Sequence, residues 1–235
     1  MKAGIIAAGK GSRLAQGGIL TPKPLVRVGG QTLVERALHE AAAAGAERAA
    51  LITTPAFPEV AAYLRGRAWP LPLDLMVWDS PNSLESFLAL APCLDCPFLL
   101  LTVDAIFAPR ALGRFVSRAQ AAPPLGALGV TTFKEDESPL YVHLDPEGRV
   151  LAVGQPEPSP YITAGCYYFQ PEVFQWQNRA RALGLAALRQ FLALLAREGY
   201  PLIGLDVGPA VDVDHPGDLA RAEELLRTGR LPCPR

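Results

Sequence analysis

The sequence predicts a single α/β domain on a doubly wound, mixed but mainly parallel sheet, with a small mixed-sheet subdomain toward its C-terminus. Three observations predict it. An apolar run at residues 2–7 ends in Gly9-Lys10-Gly11, the pattern of a central strand feeding a tight turn. Strand-like and helix-like segments then alternate through four rounds in the first half of the chain. Finally, 235 residues with 50% hydrophobic content can bury a sizeable core, and no linker-like or low-complexity stretch divides them.

Each element has its own reason. Residues 31–44 place Leu33, Val34, Ala37, Leu38 and Ala41 at helical spacing and stop at Gly45. Strands are expected at 49–53, 73–78 and 97–103, alternating with helices at 59–67 and 83–90. A helix at 111–120 and a strand at 126–131 extend the sheet. From Pro139 the pattern changes to short strands at 140–144, 150–153 and 162–169, with a turn at Asp145-Pro146-Glu147-Gly148. Helices at 171–177 and 185–198, a strand at 202–206, an extended piece at 211–214 and a helix at 215–227 complete the chain.

Composition excludes several classes. A formal net charge of −1 leaves no basic field for nucleic acid. No apolar run approaches the ~20 residues of a membrane span, and the immediate start of a strand leaves no room for a signal peptide. A cytoplasmic location is expected. Cys93, Cys96, Cys166 and Cys233 are too scattered for a disulfide framework. The Cys93-x-x-Cys96 spacing lacks a second pair or a ligand-spaced histidine, so it reads as a turn before a buried strand.

The loop after the first strand carries the chemistry. Lys10, Arg13 and Lys23 converge there, and the chain has only four lysines, Lys2, Lys10, Lys23 and Lys134. Two of the four in one loop suggest placed point charges around an anion. Glycines let backbone amides approach the same anion. A Walker loop is excluded because Gly11 stands where its serine or threonine would follow Lys10. A dinucleotide fingerprint is excluded because Leu14 replaces its third glycine and the strand at 49–53 leads into Thr54-Pro55 without a carboxylate. What remains is a triphosphate cradle. Hard carboxylate ligands are then expected at strand ends, since two anionic phosphates must be brought together. Asp104 ends the run Phe98-Leu99-Leu100-Leu101-Thr102-Val103, with capping of the following helix as its alternative role. Asp212 and Asp214 share one face of an extended segment, Asp214 also standing near a helix start. Asp218 reads as a first-turn dipole partner and His215 as a surface residue.

Gly9-Lys10-Gly11-Ser12-Arg13-Leu14 followed by Pro22-Lys23-Pro24-Leu25 resembles the signature of the nucleotidyltransferase (NTP transferase) family. That family includes the sugar-1-phosphate nucleotidyltransferases and small phosphocholine and inositol-phosphate cytidylyltransferase-like enzymes. Asp212-Val213-Asp214-His215-Pro216-Gly217-Asp218-Leu219 and Thr163-Ala164-Gly165-Cys166-Tyr167-Tyr168-Phe169 resemble two further segments of it. The resemblance implies a Rossmann-like fold of the nucleotide-diphospho-sugar transferase type, with residues 1–135 binding NTP and 136–235 the acceptor. It also implies transfer of NMP from an NTP to a phosphorylated small molecule, with release of pyrophosphate. By the same resemblance Arg13, Lys23 and Asp104 are catalytic, and Ala7, Ala8, Gly9, Lys10, Gly11, Ser12, Asn82 and Ser83 bind nucleotide. Thr163 and Gly165 line the acceptor site, Gly165 allowing close backbone approach by the acceptor, and Asp104, Asp212 and Asp214 hold Mg2+. Capping of a helix is the competing role for Asn82 and Ser83. Hexose-1-phosphate is the commonest acceptor, whereas the Asn82-Ser83 loop resembles the phosphocholine and inositol-phosphate branch. Gly154-Gln155-Pro156-Glu157 lacks the lysine usual before the acceptor strand in hexose-phosphate enzymes. A glycosyltransferase is disfavoured because Asp104-Ala105-Ile106 lacks a second carboxylate, and a non-catalytic nucleotide sensor is the remaining alternative.

Overall fold

The computed structural model of the chain describes residues 1–121, 126–133 and 138–231. The apolar N-terminal run is β1 (Lys2–Ala7), which lies between two parallel neighbours, β4 (Arg48–Thr53) and β6 (Phe98–Thr102). A strand in that position is covered on both faces and needs no polar alternation. β5 (Leu73–Val77) pairs parallel with β4. The connections supply α1 (Ser12–Gln16), a small hairpin of β2 (Arg27–Val28) and β3 (Gln31–Thr32), then α2 (Leu33–Ala43), α3 (Pro58–Arg65) and α4 (Ser83–Ala89).

Helix α2 begins two residues later than the expected start at residue 31, at the first of its apolar positions. Thr32 is its cap: the Thr32 hydroxyl accepts from the Glu35 N–H at 3.2 Å, and Glu35 Oε2 accepts from the Thr32 N–H at 2.8 Å. After β6 the chain turns through Val103 and Asp104 into β7 (Ala105–Phe107). The next helix, α5 (Ala111–Ala121), starts only at Ala111, so Asp104 does not cap it. That alternative role is corrected by a short strand that no sequence pattern announced.

The rest of the chain is β8 (Gly126–Thr131), β9 (Tyr141–Leu144), β10 (Val150–Val153), β11 (Tyr161–Phe169), α6 (Gln177–Ala182), α7 (Leu188–Arg197), β12 (Leu202–Asp206), β13 (Ala210–Asp212) and α8 (Pro216–Thr228). β11 is the junction of the molecule. It runs antiparallel to β6, β8 and β9, giving the order β10-β9-β11-β6-β1-β4-β5, with β8 against β11 and β12 parallel to β8. The mixed C-terminal strands are therefore continuous with the parallel core. β13 pairs antiparallel with β7, which brings Asp212 opposite Ala105. The expected division at 135/136 falls outside the described residues, as do Lys134 and Cys233.

The sheet separates two apolar layers. One gathers side chains of α2, α3, α5 and α8, including Leu38, Leu64, Phe115 and Leu225. The other holds α4 and α7, where Phe87 packs against Phe98, Phe169, Phe174 and Phe191. No described helix is long and apolar enough to cross a membrane.

One half-buried carboxylate on α2 gives stability a pH dependence. Burial pushes the Glu40 carboxyl up to about 7, against the lowering pull of Arg36 one turn earlier. Across the layer, burial and the Glu40 charge raise the thiol of the buried Cys166. The folded pKa of Glu40 lies above its unfolded value, so the folded chain retains a proton that the unfolded chain has released. Its contribution is full below about pH 4.3 and is lost as pH rises through about 7. Glu40→Gln is expected to match wild-type stability at pH 4 and to exceed it at pH 8 by on the order of 2 kcal/mol. Urea denaturation at the two pH values checks this, and parallel curves for the two proteins would refute it.

Candidate active site

The glycine loop leaves β1 at the carboxyl edge of the parallel strands, where open α/β sheets take ligands. Ala7 ends the strand and is buried, whereas Gly9, Lys10 and Ser12 are exposed. Gly11 adopts φ +62°, and a Cβ there would stand 2.9 Å from Lys23 Cβ. The loop and the Pro22-Lys23-Pro24 segment fit together only because Gly11 has no side chain.

Lys23 is the centre of the arrangement. Its Nζ donates to Asp104 Oδ2 at 2.5 Å and to Asp214 Oδ1 at 2.6 Å, and Arg13 Nη1 donates to Asp214 Oδ2 at 2.6 Å. The Lys23 side chain is 7% exposed, against 24% for Asp104 and 32% for Asp214. The pairs therefore open toward solvent on the carboxylate side. Burial alone would lower the Lys23 ammonium, but Asp104 and Asp214 outweigh it and hold the group above the ordinary lysine value. Burial alone would raise Asp104, but Lys23, the Thr102 hydroxyl and the backbone hold it below the ordinary carboxylate range. Both are charged at neutral pH.

Backbone contacts tie the two carboxylate segments together. The Asp104 carbonyl accepts from the Val213 N–H at 3.0 Å, extending the β7–β13 ladder between Asp212 and Asp214. Asp214 is fixed from its other side by Asp218, which is 4% exposed. Asp218 Oδ2 accepts from the N–H groups of Asp214 and His215 at 2.8 and 2.6 Å, and Oδ1 pairs with Arg221. Among the described residues the buried charged side chains are Lys23 and Asp218, and both hold Asp214. Asp218→Ala is expected to cost about 3 kcal/mol, because it strands two backbone donors and removes a buried carboxylate from the Arg221 guanidinium. A loss under about 0.5 kcal/mol in urea denaturation would show that Asp218 is no brace.

Beside this cluster lies a cavity of about 250 Å³. Arg13, Asp212 and Asp214 line it on the cluster side, Thr163 and Ile162 of β11 on another, and His215 and Arg221 from α8 and its start. His215 is half-buried on this wall rather than a bare surface residue, because the cap of α8 faces the cavity. Gly165 is not on the wall. It bends β11 at φ +75°, its carbonyl accepts from Thr102 Oγ1 at 3.3 Å, and a Cβ there would meet Ala105 Cβ and Thr102 Oγ1 at 2.6 Å each. The close approach it permits is to β6 and β7 of the chain itself.

Asn82 and Ser83 stand apart from the cavity at the start of α4. Asn82 Oδ1 accepts from the Glu85 N–H at 2.9 Å, and Ser83 Oγ accepts from the Leu188 N–H at 3.1 Å. Arg13, Lys23, Asp104 and Asp214 are thus brought into one cluster, with Asp212 and Thr163 on its cavity. Sequence reasoning missed Arg221. Its only signal was the i, i+3 spacing to Asp218 on a helix that follows Asp214.

Cations and carboxylates gathered where a glycine loop leaves a parallel strand define a nucleotide-handling α/β protein. More narrowly, residues 3–195 match the MobA-like NTP transferase domain, and the chain belongs to that family. It is 26% identical over 248 residues to the CMP-5'-(3-aminopropyl)phosphonate synthase of Streptomyces rubellomurinus, covering 95% of this chain and 38% of that one. The chain spans about half or less of the length of the curated relatives it matches. Among solved structures, the inositol-1-phosphate CTP transferase from T. maritima superposes with TM-score 0.80 at 20% identity, covering 99% of this chain and 98% of that one. A putative glucose-1-phosphate thymidylyltransferase from Bacillus anthracis gives TM-score 0.84 at 18% identity, with the same coverage. These similarities carry the fold across the whole chain.

Proposed function

We propose that the chain is a nucleotidyltransferase, which moves NMP from an NTP onto a phosphorylated small-molecule acceptor and releases pyrophosphate. The observation that carries it is the convergence of Lys23 and Arg13 on Asp104 and Asp214 at the mouth of the glycine loop. The membership of the NTP transferase family supports it.

The acceptor phosphate has a second pKa near ~6 and is largely dianionic at neutral pH, so it needs no base. Its oxygen attacks the α-phosphorus; that bond forms as the bridge to the β-phosphate breaks, and pyrophosphate leaves with the bonding pair. The chain must position two anions and offset charge in flight. The glycine loop, Lys10 and Ser12 hold the triphosphate. Lys23 and Arg13 turn from the carboxylates to the phosphate oxygens.

Mg2+ fits the carboxylates present. Asp104 and Asp214 already hold one cation, the Lys23 ammonium, between hard oxygen atoms, and Asp212 lines the cavity beside Asp214. No cluster of three or more potential ligating side chains occurs among the described residues. An ion held by one or two carboxylates would be completed by phosphates and water. Bound there by Asp104 with Asp212 or Asp214, it would screen the repulsion between the two phosphates.

The test is pyrophosphate release with magnesium. Each ribonucleoside triphosphate and dTTP is offered against sugar-1-phosphates, phosphocholine, inositol-1-phosphate and alkylphosphonates, with Asp104→Ala as control. Release that requires an acceptor and disappears in the control supports nucleotidyl transfer. Triphosphate binding with no release across the panel would favour a sensor.

A further inference from the structure

The sheet ends at β5, and that end is open. Residues 49–53 of β4 are buried, whereas every residue of β5 beside it is half-exposed. Backbone bonds fix which groups are free. The Pro72 carbonyl accepts from the Ala49 N–H at 2.9 Å and the Trp78 N–H donates to the Thr53 carbonyl at 2.9 Å, so residues 72, 74, 76 and 78 turn their backbone toward β4. Leu73, Leu75 and Val77 turn theirs the other way, where no described strand pairs with them.

An edge of this kind is a template for another strand unless something blunts it. β5 has no proline, lysine or bulge, and its one charge, Asp74, is paired with Arg48 at 2.7 Å. The sheet's other described ends are blunted: β10 carries a bulge between Val150 and Ala152, and β12 is bridged at Ile203 by Arg149. Beside β5 runs a groove of about 560 Å³ that Leu64 of α3, Trp69, Leu71, Leu73 and Leu75 line. A strand laid on this edge would gain backbone bonds and an apolar floor together.

A second copy of the chain supplies such a strand in a register without conflict. With a two-fold axis at Leu75, Leu75 stands opposite its own copy and Leu73 opposite the second copy's Val77, so the outward N–H and C=O groups of all three residues find partners. Asp74 then stands opposite the second copy's Met76, not opposite another aspartate. Charge agrees as well. Helix α3 starts at the carboxyl edge of the sheet with exposed Glu59 and ends at the amino edge with exposed Arg65. An antiparallel copy sets the acidic start of one α3 on the same side as the basic end of the other. The contact is isologous and closes at two copies, whereas β5 on β10 would leave free ends and build an open chain.

We propose that β5 is a dimer interface, where a second copy of this chain adds its β5 antiparallel about Leu75 and joins the two sheets into one. It stands whether or not the chain transfers nucleotides, because no residue of the Lys23 cluster takes part. Sedimentation equilibrium of the full chain is expected to give a mass of twice 25.1 kDa at the upper end of a range from about 1 to about 100 μM. Hydrogen exchange there should protect the amides of Leu73, Leu75 and Val77 and lose that protection on dilution, while those of Asp74 and Met76 stay protected at both ends of the range. Leu75→Lys, which sets two like charges face to face at the axis, should raise the dimer dissociation constant about a hundredfold or more. Leu75→Pro removes an outward N–H and no bond to β4, and should do the same. The exchange pattern of the wild-type chain decides the matter should either variant fail to fold. A monomer throughout the range, a dimer whose Leu75 amide exchanges freely, or a dimer that a folded Leu75→Lys protein keeps intact each overturns the interface.

Discussion

Lys23→Ala is expected to lower kcat about a thousandfold while the KM for either substrate changes by roughly threefold or less. The reason is where the ammonium sits. In the unliganded chain it is spent on Asp104 and Asp214, so binding substrates in the ground state gains little from it. Its value rises when pyrophosphate begins to leave and negative charge concentrates within reach of a buried, fully charged lysine. An interaction that strengthens only in the transition state appears in kcat, not in KM. Lys2→Ala is the control, because Lys2 Nζ bonds exposed Asp95 at 2.5 Å at the other end of β1. Equal losses from the two substitutions would show a general charge effect and end the assignment. Lys23→Arg should rescue poorly, since a planar fork cannot replace a point charge held between two carboxylates in a buried slot.

The same substitution has a second, separable signature. Without the ammonium, Asp104 and Asp214 face each other with only Arg13 between them and solvent. The variant should therefore be less stable than wild type at neutral pH and regain more of its Tm on adding magnesium than wild type does. A calorimetric scan with and without magnesium reads this independently of turnover.

Much of this site was legible because its parts are local in sequence. The glycine loop, Arg13 and Lys23 lie within one short stretch, so their proximity is legible without knowing the rest of the fold. Asp104 was legible because a lone carboxylate at the end of the apolar run 98–103 has few other uses. What stayed hidden depends on pairings distant in sequence. The β7–β13 ladder joins residues 105–107 to 210–212 through strands of three residues each, too short for alternation to register. Helix α2 was placed early because Gln31 and Thr32 directly precede its first apolar residue, Leu33, and the capping role of Thr32 depends on Glu35 reaching back to it. Asp218 looked like a dipole partner because it stands in the first turn of a helix, whereas its bonds to Asp214 and His215 follow from the path of the preceding loop.

Gly165→Ala is expected to be severely damaging, although the glycine touches no reacting group. A Cβ added at Gly165 would meet Thr102 and Ala105. Two costs combine. The backbone sits at φ +75°, which costs an alanine roughly 1–2 kcal/mol. The new Cβ would stand 2.6 Å from both Ala105 Cβ and Thr102 Oγ1, and neither is the far end of a flexible side chain, so β11 must move by an ångström-scale shift or the β6–β7 turn must yield. Overpacking of that kind costs about 1–3 kcal/mol more. A total of about 2–5 kcal/mol is a large share of the stability of an ordinary domain. The functional consequence follows from what lies between those contacts. Thr102 and Ala105 flank Asp104 on either side, and Thr102 helps keep the Asp104 carboxyl ionised, so the yielding turn carries the carboxylate off Lys23. Turnover should fall by at least a hundredfold even at temperatures where the variant remains folded, because a misplacement of about 1 Å at a reacting centre costs that much. Urea denaturation paired with pyrophosphate release separates the two effects. Full activity in a merely destabilised Gly165→Ala protein would mean that β11 gives way instead, and that the position of Asp104 does not depend on the bend at Gly165.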